Sequence, residues 1–149
     1  MSASILILTD NDERDLPGCL QSVRWSDDVH VLDSFSGDRT VEIASKFGAQ
    51  VTQRKAEGQA AQLNAALDTI PFKYPWLLLL APDERVTPGL EAELRIMYYH
   101  LGSEVAYQVR QREVVWGRPL KRSRAQAFPI RYFSWDSVRF HGSEPVEAE

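Results

Sequence analysis

Four short apolar runs, each followed by a stretch with helical spacing, fill the first hundred residues, and this alternation limits the fold more than any other feature. The runs Ser4–Thr9, Val29–Asp33, Gln50–Gln53 and Trp76–Leu80 are predicted strands. Between them, Asp15 is placed as the cap of a helix with Pro17 in its first turn and Leu16, Leu20 and Val23 on one face, running to Trp25. Asp38 is placed as the cap of a second helix that stops at Gly48, where a glycine suits a helix end. A third helix is expected over 56–67, and a fourth opens after Thr87 with Pro88, Leu90, Leu94 and Met97. The nearly unbroken apolar run at Trp76–Leu80 predicts a central strand covered on both faces. From residue 105 the pattern changes to strands at 105–112, 113–116, 127–133 and 138–140, with residues 116–119 as a break. The expected architecture is α/β, a mostly parallel sheet flanked by helices with an antiparallel β extension on the C-terminal side.

With 149 residues, the chain fits one domain able to bury roughly two thirds of its unfolded surface. We divide it into a front part over 1–104, a basic β segment over 105–140 and an acidic, apolar-poor tail over 141–149 that is expected to fray. The net charge of −4 hides an asymmetry. Residues 1–104 carry 9 basic against 16 acidic side chains, whereas residues 105–140 carry 8 against 2. A basic segment behind an acidic body suits a phosphate-bearing ligand, although a solvated arginine-rich hairpin fits the same composition. The acidic total and the lack of a binding signature argue against nucleic acid. The lone Cys19 excludes an intrachain disulfide and fits a cytoplasmic protein. The opening residues read as a strand and not a signal peptide, and the longest apolar run is too short for a transmembrane segment.

Ligands of open α/β sheets bind beyond the carboxyl ends of the strands. The polar residues expected there are Thr9, Asp10, Asn11, Asp12 and Glu13 after the first strand, Asp33 to Asp38 after the second, and Asp83 with Glu84 after the fourth. Asp and Ser favour caps and turns whatever the function. Asp33 stands apart because it ends an apolar strand where no cap is needed, so its carboxylate is a candidate acceptor for a base or ribose.

Four blocks, ILILTDNDERDLPGCLQSVRW, VHVLDSFSGDRTVEIASKFGAQV, GQAAQLNAAL and PWLLLLAPDERVTPGLEAEL, resemble in order and spacing the inverting family 2 glycosyltransferases. Within that family they are most like the lipopolysaccharide core glucosyltransferase branch of Gram-negative bacteria. The resemblance implies a GT-A fold that binds a nucleotide sugar of the uridine type and transfers a hexose to a glycan or lipid-linked acceptor. It places Thr9 and Asp33 at the base and ribose, with Asn11 and Glu13 in the loop beside them and Asn64 facing the nucleotide from the third helix. The family's Asp-x-Asp motif falls on Ala81, Pro82 and Asp83, so its first carboxylate is missing. Asp83 with Glu84 remains as the implied ligand pair for Mg²⁺ or Mn²⁺.

Three further departures from the family pattern are Asp10 and Leu63, where basic residues are usual, and Phe35, where a glycine is common. Glu144 is the implied general base, and Arg118, Arg122 and Arg124 are candidate contacts for acceptor or donor phosphates. The family usually continues into helices that close the acceptor site or dock on the membrane, which implies a peripheral contact with the inner membrane face. Two other readings stay open: a catalytically degenerate binding or interaction module, and, more remotely, a phospho-receiver domain built on Asp33.

Overall fold

The computed structural model describes residues 3–55, 58–99, 104, 106–109, 114–115, 118–119, 130–141 and 144–147, with side chains for all of these except 98–99, 114–115, 118–119, 130, 141 and 144–147. The elements run β1 (Ser4–Thr9), α1 (Leu16–Ser22), β2 (Val29–Asp33), α2 (Thr40–Lys46), β3 (Gln50–Gln53), α3 (Gln59–Thr69), β4 (Trp76–Leu80) and α4 (Pro88–Tyr99). Six more strands follow: β5 (Ala106–Gln108), β6 (Val114–Val115), β7 (Arg118–Pro119), β8 (Ile130–Ser134), β9 (Val138–His141) and β10 (Glu144–Glu147).

The main sheet has the order β3-β2-β1-β4-β8-β5. Its first four strands are parallel, and β8 and β5 extend it antiparallel beyond β4. The predicted architecture is therefore correct. Successive side chains of a strand point to opposite faces, and both faces here are buried. Ile5, Ile7, Leu78 and Leu80 pack with Leu16, Cys19 and Leu20 of α1, with Val23 just after it, and with Ala44 of α2 and Leu94 of α4. Leu6, Leu32, Leu77 and Leu79 pack on the other side with Leu63, Ala66 and Leu67 of α3, and with Phe133, Val138 and Phe140. Each fully buried leucine contributes about 1.5–3 kcal/mol. The unbroken run of β4 is thus explained by helices on one face and by α3 with β9 on the other.

Element edges differ from expectation in instructive ways. Helix α1 ends at Ser22, before Trp25, because the Trp25 indole donates to the Ser22 carbonyl (3.0 Å) and satisfies it without another helical turn. Asp15 sits at the helix start but makes no side-chain cap bond. Thr87 does cap α4, its hydroxyl accepting from the Leu90 amide at 3.1 Å. Helix α3 opens after Gly58, whose φ of 107° only glycine adopts without strain. Arg118 and Pro119, expected in a break, lie in a short ladder with β6. Of the tail expected to fray, residues 144–147 form β10, paired antiparallel with β9. Among the described residues no helix is long and apolar enough to cross a membrane.

Candidate functional site

Register brings the ends of three strands into one row. Thr9 lies opposite Asp33 across the β1/β2 pairing, and Asp33 opposite Gln53 across β2/β3. Residues in register on parallel strands share a face, so the three side chains meet. Asp33 has no exposed surface and accepts from the Thr9 hydroxyl (2.7 Å), the Ser36 hydroxyl (2.5 Å), the Ser36 amide (2.8 Å) and the Gln53 side chain (3.2 Å). Burial alone would push this carboxyl up, but the donors from Ser36, Thr9 and Gln53 outweigh it and hold the pKa below its ordinary value. Asp33 is therefore ionised and satisfied from within. It ties three strand ends together at the edge where a base or ribose is expected.

The loops after β1 and β2 are stitched together reciprocally. The Asn11 amide donates to the Ser36 hydroxyl, and the Asn11 side-chain oxygen accepts from the Gly37 amide, both at 2.8 Å. The Glu13 amide donates to Asp38, and the Glu13 carboxylate accepts from the Arg39 amide at the start of α2, both at 3.2 Å. Asp38 in turn accepts from the Thr40 amide at 2.9 Å, but the cap position of α2 falls one residue later than expected, on Arg39, which makes no side-chain cap bond. Glu13 is thereby a helix-end partner, favoured by the dipole, as well as a rim residue. Asp12 is pushed up by burial and by its neighbours Asp10, Asp15 and Asp38, against the Asp10 amide that stabilises its charge. Two residues on this rim have left-handed backbone without being glycine: Asn11 (φ 55°) and Phe35 (φ 54°).

Across β1 from that rim, β4 ends in a turn over residues 81–84, closed by the Glu84 amide on the Ala81 carbonyl at 3.0 Å. Pro82 occupies its second position, where a fixed φ suits the turn. Glu84 folds back to accept from the Ala81 amide (2.7 Å) and is gripped by both guanidinium nitrogens of Arg131 (2.7 and 2.9 Å). Arg131 also donates to the Leu79 carbonyl at 3.1 Å. Arg85 donates to the carbonyls of Pro82, Glu84 and Asp15 and lies over Gly18. Beneath, the Cys19 thiol donates to the Ala81 carbonyl (3.6 Å), and burial pushes it up to about 12, which leaves it a core thiol.

The implied cation tests poorly against these residues. Ala81 offers no ligand, both Glu84 oxygens are engaged by Arg131 and an amide, and only Asp83, exposed in the turn, remains. Among the described residues no three acidic, histidine or cysteine side chains gather as a metal site. Hard cations bind through several oxygens, and this turn supplies one carboxylate. The residues do not fit the two-carboxylate embrace, and Glu84 is corrected from ligand to ion-pair partner.

Asn64 also moves. Its amide bonds both ways with the Phe140 main chain (2.7 and 2.8 Å), pinning β9 to α3. The α3 residue that reaches the strand-end loops is Gln62, which donates to the Ser34 hydroxyl at 2.8 Å. Positions 62 and 64 are about 200° apart on the helix, so Gln62 faces the loops and Asn64 faces β9. Gln53, Gln62 and Arg131 were not singled out from the sequence; the two glutamines carried no charge signal, and Arg131 was one of many arginines. The side chains of Arg118 and Glu144 lie outside the described residues, as do Arg122 and Arg124 entirely, although Glu144 stands in β10 opposite His141. A shallow hollow lined by Leu20, Val23, Val29 and Phe47 lies at the opposite, amino edge of the sheet and belongs to no candidate.

The order β2-β1-β4 makes the crevice between β1 and β4 a topological switch point, where such sheets bind ligands. The model of glycosyl transferase family 2 matches residues 4–143. An uncharacterized glycosyltransferase of Rickettsia bellii (strain RML369-C) is 32% identical over 110 residues, covering 72% of this chain and 37% of that protein. One of Rickettsia conorii (strain ATCC VR-613 / Malish 7) is 30% identical over 110 residues, covering 72% and 38%. The matched part of the chain thus spans well under half the length of these relatives. Among solved structures, S. aureus TarS (residues 1–349) superposes with a TM-score of 0.61 at 20% identity, over 91% of this chain and 47% of that one. Glucosyl-3-phosphoglycerate synthase from Mycobacterium tuberculosis, in complex with uridine-diphosphate, gives 0.56 at 19% identity, over 73% and 45%. Those likenesses speak for a shared GT-A fold, and with the family match they close the question of kinship: this chain belongs to glycosyl transferase family 2.

Proposed function

We propose that the chain forms the donor-binding part of a hexosyltransferase that takes a uridine-type nucleotide sugar and passes the hexose, with inversion, to a glycan or lipid-linked acceptor. The observation that carries this reading is the pairing of two rims at the switch point: the stitched loops around Thr9, Asn11 and Asp33, and the braced turn holding Asp83. In the reaction, the acceptor hydroxyl loses its proton to a carboxylate and attacks the anomeric carbon as the nucleoside diphosphate leaves on the opposite side. Glu144 is our candidate for that carboxylate, and Arg118, Arg122 and Arg124 are the candidate contacts for phosphate. Asp83 is the remaining candidate to face a cation carried in with the diphosphate.

A second reading, a binding module without transfer, is favoured by one feature. Asp33, Glu13, Glu84 and Asn64 all spend hydrogen-bonding capacity within the protein. Calorimetry with uridine diphosphate, with and without Mn²⁺, and a donor-hydrolysis assay separate the two. The transferase reading expects binding and turnover that fall at least tenfold in Asp83→Ala. Binding without any turnover supports a nucleotide-binding module, and no binding at millimolar nucleotide removes the transferase and supports an interaction module.

A further inference from the structure

Phe35 combines two features that a folded chain ordinarily avoids. It is 61% exposed, and its φ of 54° lies in the left-handed region, which bulky residues rarely adopt. The other exposed large apolar residues among those described, Phe47 and Ile96, have no such backbone. Backbone of this kind persists only where the surroundings over-determine it. Here they do so on both sides. Ser34 donates its amide to the Thr9 carbonyl and accepts from Gln62, while Ser36 gives amide and hydroxyl to Asp33 and accepts from the Asn11 amide. Gly37 is held by the Asn11 side chain. With both neighbours pinned, residue 35 has no freedom to relax, and its ring stays exposed on the loop after β2. Burial does not explain the ring, and the loop geometry would be easier for glycine.

We propose that Phe35 is an aromatic platform on which the planar base of the donor nucleotide stacks. The inference rests on the reading of this rim as a nucleotide site, and it names the residue that supplies affinity there. Thr9 and Asp33 are buried and engaged with each other, so they offer little to a base edge, whereas Phe35 leaves an aromatic ring exposed between Ser34 and Ser36 of the same loop. Stacking on an aromatic needs no particular hydrogen-bond pattern and is strong enough to matter at a shallow site.

The test compares the unaltered chain with Phe35→Leu and Phe35→Gly, measuring uridine diphosphate affinity by calorimetry and thermal stability in parallel. Stacking predicts a loss of affinity of about fivefold to a hundredfold in both variants. The Gly variant, relieved of its backbone strain, is expected to melt within about 3 °C of the unaltered chain or above it. Affinities within twofold of each other overturn the platform while leaving the nucleotide site standing. A Gly variant that melts far below the unaltered chain overturns it as well, since Phe35 would then be holding the loop together. Failure of the unaltered chain to bind the nucleotide instead removes the site reading itself.

Discussion

Arg131 and Glu84 lie fork to fork, Nη1 on Oε1 at 2.7 Å and Nη2 on Oε2 at 2.9 Å, with both side chains about seven-eighths buried. The pair joins the antiparallel extension to the turn that follows the last parallel strand. The position of Asp83 therefore depends on a strand some fifty residues further along the chain.

Removing one partner leaves a largely buried charge alone, which is costlier than removing both. Arg131→Met is expected to lower stability by about 3 kcal/mol. The double variant Arg131→Met with Glu84→Gln should recover more than half of that in urea unfolding. Additive losses would show that the pair does not act as a unit.

Acid should weaken the fold in part through Asp33. Its folded pKa is depressed, so the unfolded chain takes up the proton more readily. The stabilisation is present above the unfolded value of about 4 and drains away as pH falls through the lower, folded value. Asp27, Asp38, Glu42 and Asp136 are shifted in the same direction and add to the acid limb. Asp33→Asn is expected to cost about 2 kcal/mol at pH 7 and to show a shallower decline between pH 5 and pH 2. Parallel acid limbs in the two proteins would rule Asp33 out as a source.

Asn64 fastens β9 to α3 through two main-chain bonds. Asn64→Ala leaves the Phe140 amide and carbonyl without that partner, at a cost of about 2 kcal/mol. Hydrogen exchange should then quicken at the Phe140 amide well before it does in β1. Exchange that rises equally everywhere would point to global loss instead.

Gly18 leaves the space that Arg85 fills. A Cβ there would come within 2.4–2.7 Å of the guanidinium, which would have to leave the Asp15 carbonyl. In a helix, alanine otherwise gains about 1 kcal/mol over glycine. Gly18→Ala should therefore be near neutral alone and stabilising by about 1 kcal/mol in an Arg85→Ala background. A thermal-melt cycle that shows no coupling would refute the contact.

The alternation of apolar runs and helical stretches was enough to determine the sheet and its antiparallel extension, because period and burial are local properties of a chain. Trp76–Leu80 was recognisable as a central strand since nothing polar interrupts it. The strand-end acidic clusters were equally visible, because turns and caps select the same residue types wherever they fall. What each polar side chain faces was decided only by tertiary structure. Register closed Asp33 in among Thr9, Ser36 and Gln53, and helical phase turned Asn64 toward β9 and Gln62 toward the loops. The return of β8 beside β4 took Glu84 out of any ligand set by giving it Arg131. A carboxylate spelled in sequence has fixed chemistry but no fixed partner, since hydrogen bonds are assigned by distance in space and not by order along the chain.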